Sequence, residues 1–193
     1  MTVDVIYSIL FLFCEVEAAS GKRIKMELKR YFLEQLEREA VASRKAIERV
    51  PEGQNGWKPH ERSMELGYLA ALVASMPGWL ALMIDRDELD LNGPEGETFR
   101  TKVVETRAEL LKMLEDGLGK SRAALEKTTE EHLMTPWKLV MQGQVLMNEP
   151  RYVAIADGAL SHLAHHRGQL TVYLRLNEAK VPALYGPSAD EWK

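Results

Sequence analysis

The chain has 193 residues, 46% of them apolar and 28% charged, with a formal net charge of −4 and an isoelectric point near 5.8. That length suits one domain with a substantial core, and that composition excludes a disordered or a membrane-embedded chain. The acidic balance, with no stretch that interleaves aromatic and basic residues, excludes a nucleic-acid surface, which needs clustered Lys and Arg.

Val5 to Val16 is the most apolar stretch. It is too short for a membrane span, which takes about 20 apolar residues. Asp4 ahead of it, with no leading Lys or Arg, argues against a signal peptide. Cys14 is the only cysteine, which rules out an internal disulfide and a cysteine-based zinc cluster. It reads as a buried thiol in a protein of a reducing, cytoplasmic compartment. Residues 1–25 are expected to be an N-terminal extension, either an extra apolar helical segment or a stretch ahead of a true start at Met26. Residues 26–193 are expected to form one helical domain.

From Lys25 to Arg49 the spacing becomes helical. Leu33, Leu36, Ala40, Ser43, Ile47 and Val50 alternate steps of three and four and define one core stripe. Pro51, Gly53 and Gly56 end the helix. After the loop Trp57-Lys58-Pro59-His60, Ser63 is the expected N-cap of a second helix, with Glu65 in its first turn. Leu66, Leu69, Leu72, Val73 and Met76 form its apolar face, and Pro77-Gly78 should kink it before a further helical piece from Trp79 to Ile84.

Asp85 to Gly96 is read as a solvated acidic loop, since it lacks the glycine and glutamate placement of an EF-hand. A third helix is predicted from about Thr98 to Lys127, carrying Val104, Leu111, Leu114, Leu118 and Leu125, with Gly117 and Gly119 weakening its middle by about 1 kcal/mol each. Lys138–Met141 and Gln144–Met147, separated by Gln142-Gly143, could pair as a small hairpin. A fourth helix is predicted from Arg151 to Asn177, with Pro150 at its start and Ile155, Ala159, Leu163, Leu170 and Tyr173 as its stripe. Val181 to Lys193 is expected to be a surface-packed loop. Four amphipathic helices with little strand signal indicate an all-α helical bundle.

The fourth helix contains His162-Leu163-Ala164-His165-His166-Arg167-Gly168-Gln169, three of the five histidines. His162 and His166 are i and i+4 and lie on one face, the spacing with which two imidazoles can share a divalent cation. At 100° per residue His166 falls within the apolar stripe, His162 on its near flank and His165 at its edge, while Arg167 points away. Gln169 shares the face of the pair and could fix an imidazole tautomer. The bland alternative is a partly buried, hydrogen-bonded histidine pair. His60 is expected to close a loop over the bundle end, and His132 to be exposed. No Gly-rich phosphate loop, G-x-S-x-G elbow or H-E-x-x-H motif occurs.

Trp57-Lys58-Pro59-His60, Met76-Pro77-Gly78-Trp79, Pro136-Trp137, His162 through Gln169 and Tyr185 through Glu191, in this order and spacing, resemble the DinB-like family from Met26 to the end. The resemblance implies a four-helix bundle, often homodimeric, and in many members a zinc or nickel ion held by three histidines. Two of those ligands map onto His162 and His166; His165 is read as a residue around the site or on a dimer surface, and Gln169 as an imidazole partner or the cap of a polar gap in the bundle. Characterised relatives include transferases and isomerases that use a low-molecular-weight thiol. The third histidine of the family, five residues before the Pro-Gly-Trp proline, corresponds here to Leu72, which offers no donor atom. Tyr68, Glu65, His60 and His132 are candidate substitutes. The resemblance therefore implies either a metal-dependent transferase or hydrolase with an incomplete site, or a non-catalytic dimeric bundle for a small apolar ligand or partner. A membrane-tethered protein is the least supported reading.

Overall fold

The computed structural model describes residues 15–17 and 23–192. The expectation for residues 1–25 therefore lies mostly outside the described residues. Within it, the backbone of β1 (Glu15–Glu17) pairs antiparallel with β2 (Arg23–Lys25), so these six residues are strand rather than the expected helical segment.

Helix α1 (Leu28–Ile47) buries Phe32, Leu36, Ala40, Ser43, Ala46 and Ile47, with Val50 just beyond it, largely the stripe read from the sequence. It carries no side-chain cap of its own. Glu130 supplies one from 102 residues away, its carboxylate accepting from the backbone N–H groups of Leu28 and Lys29 at 2.9 and 3.0 Å. Those donors have no partner within the helix, and the N-terminal end of the helix dipole favours the negative charge.

The second helical segment runs as α2 (Leu66–Ser75), a 3₁₀ turn at Met76–Gly78 and α3 (Trp79–Asp85). Glu65, not Ser63, takes the cap position, without a side-chain bond. Pro77 breaks the helix as expected, and Ser121 repairs the break. Its buried hydroxyl donates to Pro77 O at 2.6 Å and accepts from Ala81 N at 3.2 Å, standing between two groups that an unbroken helix would pair directly. Leu66–Asp85 is long and apolar enough to cross a membrane, with mean hydropathy 1.6, but 72% of that apolar window is buried inside the fold. It is a core element.

The stretch from Asp85 to Gly96 differs from the expected loop. β3 (Glu88–Asp90) buries Leu89 between two acidic neighbours, and α4 (Pro94–Phe99) follows. The period-2 alternation is real, but acidic residues on the outward face hid it. The third helix, α5 (Arg107–Lys127), starts nine residues later than predicted. Thr106 and Glu109 form a capping box that fixes the start: the Thr106 hydroxyl accepts from Glu109 N, and Glu109 accepts from Thr106 N at 2.9 Å. Glu109 is held below the usual carboxylate range, first by its bond to the Thr106 side chain.

A short helix α6 (Glu130–Leu133) leads into β4 (Pro136–Met141) and β5 (Gln144–Pro150), the hairpin anticipated from the sequence. Gln142 and Gly143 both adopt positive φ, 51° and 74°, as a two-residue hairpin turn requires. The hairpin is not alone: β3 pairs parallel to β4, giving a three-stranded sheet in the order β3-β4-β5. The chain is thus mostly helical with a small mixed sheet rather than all-α.

The last long segment begins at Pro150 and runs through α7 (Arg151–Val153), a π-helical stretch (Ala154–Ser161) and α8 (His162–Leu176). Its span matches the sequence reading; the eight-residue π stretch does not follow from it. Fully buried Arg151 joins this segment to the sheet, donating to Pro136 O at 2.9 Å and Arg86 O at 3.0 Å and reaching Thr135 and Asp87. α5 packs against α1, α2 and α3, while α8 packs against α1 and α2, around a single hydrophobic core.

Candidate functional site

The geometry around His162 and His166 follows from α8 resuming ordinary helical spacing immediately after the π stretch. π segments occur frequently at functional sites. The two rings lie 4.5 Å apart between centroids, with Nε2 of His166 and Nε2 of His162 separated by 2.8 Å. On its other side, His166 Nδ1 is 2.8 Å from Gln169 Oε1. A carbonyl oxygen only accepts, so His166 Nδ1 carries the proton and its Nε2 presents a lone pair. His162 Nε2 then donates into that lone pair.

The two imidazoles differ in setting. His166 is buried, at 9% exposure, and His162 is exposed. Burial is the largest influence on His166 and pushes it below the ordinary imidazole value; the Gln169 bond acts the other way, and the neighbouring His162 and His165 lower it further. His166 is therefore kept neutral, the form that accepts a hydrogen bond or ligates a metal. Trp79 stands edge-on to His162 at 5.8 Å, and its other neighbour is Phe99 at 4.8 Å. His165 is exposed, its ring 5.0 Å from His166 and 6.5 Å from His162.

The candidate substitutes for the missing third ligand are placed as follows. Leu72 is buried on α2, the helix against which α8 packs. Tyr68 and Glu65 are exposed at the start of that helix. Exposed His60 accepts from Arg62 N at its Nδ1, 3.1 Å away. His132 is half-buried rather than exposed, its Nε2 2.8 Å from Ile84 O. Among the described residues no group of three or more His, Cys, Asp or Glu side chains is arranged to hold a metal ion.

Among the described residues the donor set thus fits a cation at two positions, with no third His, Cys, Asp or Glu arranged to join them. Two nitrogens 2.8 Å apart share a proton. Around a tetrahedral zinc, with bonds of ~2.0–2.1 Å, they would stand roughly 3.3 Å apart.

One neighbouring cluster was not legible in the sequence. Arg167, completely buried, pairs with the Glu39 carboxylate, donates to Ser43 Oγ at 3.0 Å and Glu39 O at 3.2 Å, and reaches the Tyr185 hydroxyl. That hydroxyl in turn donates to Glu39 Oε2 at 2.8 Å. Burial first, then the Glu39 bond, pushes the Tyr185 hydroxyl up to about 12. Arg167 and Tyr185 both lie in quoted motifs, but Glu39 sits 128 residues from Arg167, and nothing local marks it as the partner.

Comparison with known proteins agrees with the fold. A DinB-like protein from Bacillus subtilis (YjoA) superposes with a TM-score of 0.58 at 22% identity, covering 81% of this chain and 99% of its own. A DinB-like protein from Bacillus cereus ATCC 10987 gives 0.62 at 16% identity, covering 81% and 97%. No family model matches the sequence. The uncharacterized protein YrdA of Bacillus subtilis (strain 168) is 48% identical over 33 residues, 17% of this chain and 20% of YrdA. The chain thus matches about a fifth of that relative's length and has the fold of the DinB-like proteins.

Proposed function

We propose that this chain, with its DinB-like fold, is a DinB-like protein that uses His162 and His166 as a two-nitrogen site for a divalent ion, zinc or nickel. The open positions would be filled from solution by a low-molecular-weight thiol, in a transferase or hydrolase reaction. The observation that carries this reading is the convergence of the two Nε2 atoms, with the His166 tautomer set by Gln169 so that a lone pair points toward His162. A bound ion would act as a Lewis acid that lowers the pKa of the water or thiol it holds. The chain's own contribution is positional: Gln169 orients His166, burial keeps it neutral, and Trp79 walls one side of His162.

Leu72 favours a second reading, a non-catalytic bundle for a small apolar ligand or partner, in which the imidazoles simply bond each other. Elemental analysis of tag-free protein prepared without chelator separates the two. About one equivalent of metal per chain, lost in both His162→Ala and His166→Ala, supports the first. Metal absent from the natural chain but gained in Leu72→His supports the second.

A further inference from the structure

Trp79, which stands edge-on to His162, also lines an open groove of about 560 Å³, bounded by the α2–α3 segment, the stretch after α4 and one face of α5. That volume falls within the range of small-molecule sites. The close crossing beneath it is backbone on backbone: a Cβ on Gly117 would stand 3.0 Å from Gly78 N, and one on Gly78 would stand 3.2 Å from Gly117 Cα. The groove's apolar lining is half-buried: Trp79 and Phe99, tilted against each other at 4.8 Å, with Leu82 and Met113.

The rim has the opposite sign to the molecule. The chain carries −4 overall, yet four cationic residues line the groove, Arg100, Lys102, Lys112 and Lys120, against two acidic ones, Glu109 and Asp116. Both acids are already engaged, Glu109 in the Thr106 capping box and Asp116 with Lys112 at 2.6 Å. Arg100 pairs with Glu97 at 3.1 Å. Among the described residues no ion pair engages Lys102 or Lys120, two exposed cations that line the groove from different segments, the stretch after α4 and α5.

We propose that this groove is a binding site for an amphipathic organic anion. A flat apolar body stacks on Trp79 and Phe99, and a carboxylate or sulfonate bridges toward Lys102 and Lys120. Aromatic floors favour planar apolar groups, and charge complementarity selects the anion over its neutral counterpart. No histidine lines the groove, which shares only Trp79 with the imidazole site, so the inference does not rest on the metal reading.

The test is isothermal titration of the full chain with naphthalene-1-sulfonate and with 1-naphthalenemethanol, the uncharged body. The expected result is one sulfonate per chain, with affinity falling about tenfold or more in Lys102→Glu/Lys120→Glu and falling as salt is raised, as screened charge pairs do. The alcohol should bind more weakly and be indifferent to the charge reversal. Phe99→Ala should weaken both probes. Circular dichroism melting confirms folding, since both lysines are exposed. The proposal is overturned if the sulfonate does not bind at millimolar concentration, or binds the charge-reversed chain equally well. It is also overturned if His162→Ala/His166→Ala removes the binding, which would move the site to the imidazoles.

Discussion

His166 and Arg167 are adjacent in the sequence and face two different kinds of polar site. On one side of α8, His166 makes two neutral contacts, with Gln169 and with the exposed ring of His162. On the other, Arg167 holds a full charge with no exposed surface, compensated by Glu39, Ser43 and Tyr185. The imidazole side has spare capacity: His162 is exposed, and among the described residues its only polar contact is with His166. The guanidinium side is closed to solvent: both terminal nitrogens are bonded within the fold, only Nε lacks a partner, and these contacts offset the desolvation of a buried ion. The two sides of one helix thus separate the part of the motif that could act from the part that holds α1, α8 and the C-terminal segment together.

The largest expected effect breaks this contrast if it fails. Removing Arg167 leaves Glu39 buried without its charge partner, a change that typically costs 3–5 kcal/mol. Arg167→Ala should therefore lose about that much stability in urea unfolding, whereas His162→Ala should fall within about 0.5 kcal/mol, as exposed substitutions do. Arg167→Met/Glu39→Leu should recover much of the loss, since a buried pair replaced by hydrocarbon is often neutral. Equal losses for Arg167→Ala and His162→Ala would remove the distinction between the two sides.

A second pair of positions sharpens it on α5. The sequence gives Gly117 and Gly119 the same standing, two weak points in one helix. The structure separates them. A Cβ at Gly117 meets Gly78 N at 3.0 Å, whereas one at Gly119 meets nothing within 4 Å. Gly119→Ala should stabilise the chain by about 0.5–1 kcal/mol, the ordinary helix gain. Gly117→Ala should lose that gain to the displaced α2–α3 crossing and melt lower than Gly119→Ala. Melting temperatures of the two variants decide this; equal gains would mean that the crossing is free to open.

These cases show where the sequence is informative. The stripe of α1, the break at Pro77, the hairpin at Gln142-Gly143 and the extent of the last helical segment follow from local rules of periodicity and turn chemistry, and all were legible. β3 was not, because its alternation rests on one apolar residue, Leu89, between acids. The parallel pairing with β4 joins segments some 50 residues apart, beyond any local pattern. The π stretch was hidden for a related reason: Ile155 and Ala159, four apart, are buried in it just as α-helical spacing would predict. At the site, the i,i+4 histidines could be read, but Glu39 could not, since its partnership with Arg167 is a tertiary fact. The same limit applied to Ser121, whose role exists only because Pro77 lies against it.

The smallest expected effect concerns the imidazole side alone. In the unfolded chain His166 titrates near the ordinary value of about 6.5. In the folded chain burial, as the largest cause, lowers it. Between the folded value and about 6.5 the unfolded state binds more protons, so stability rises with pH across that window. The contribution is fully present above about 6.5 and is lost as pH falls through the lowered value. His166→Asn should flatten this part of the stability–pH curve while leaving the contacts of the Arg167 cluster in place. Urea unfolding of both chains at several pH values below 7 measures the slopes. If the two slopes coincide, His166 is as free to protonate in the fold as outside it, and the claim that burial holds this imidazole neutral falls with it.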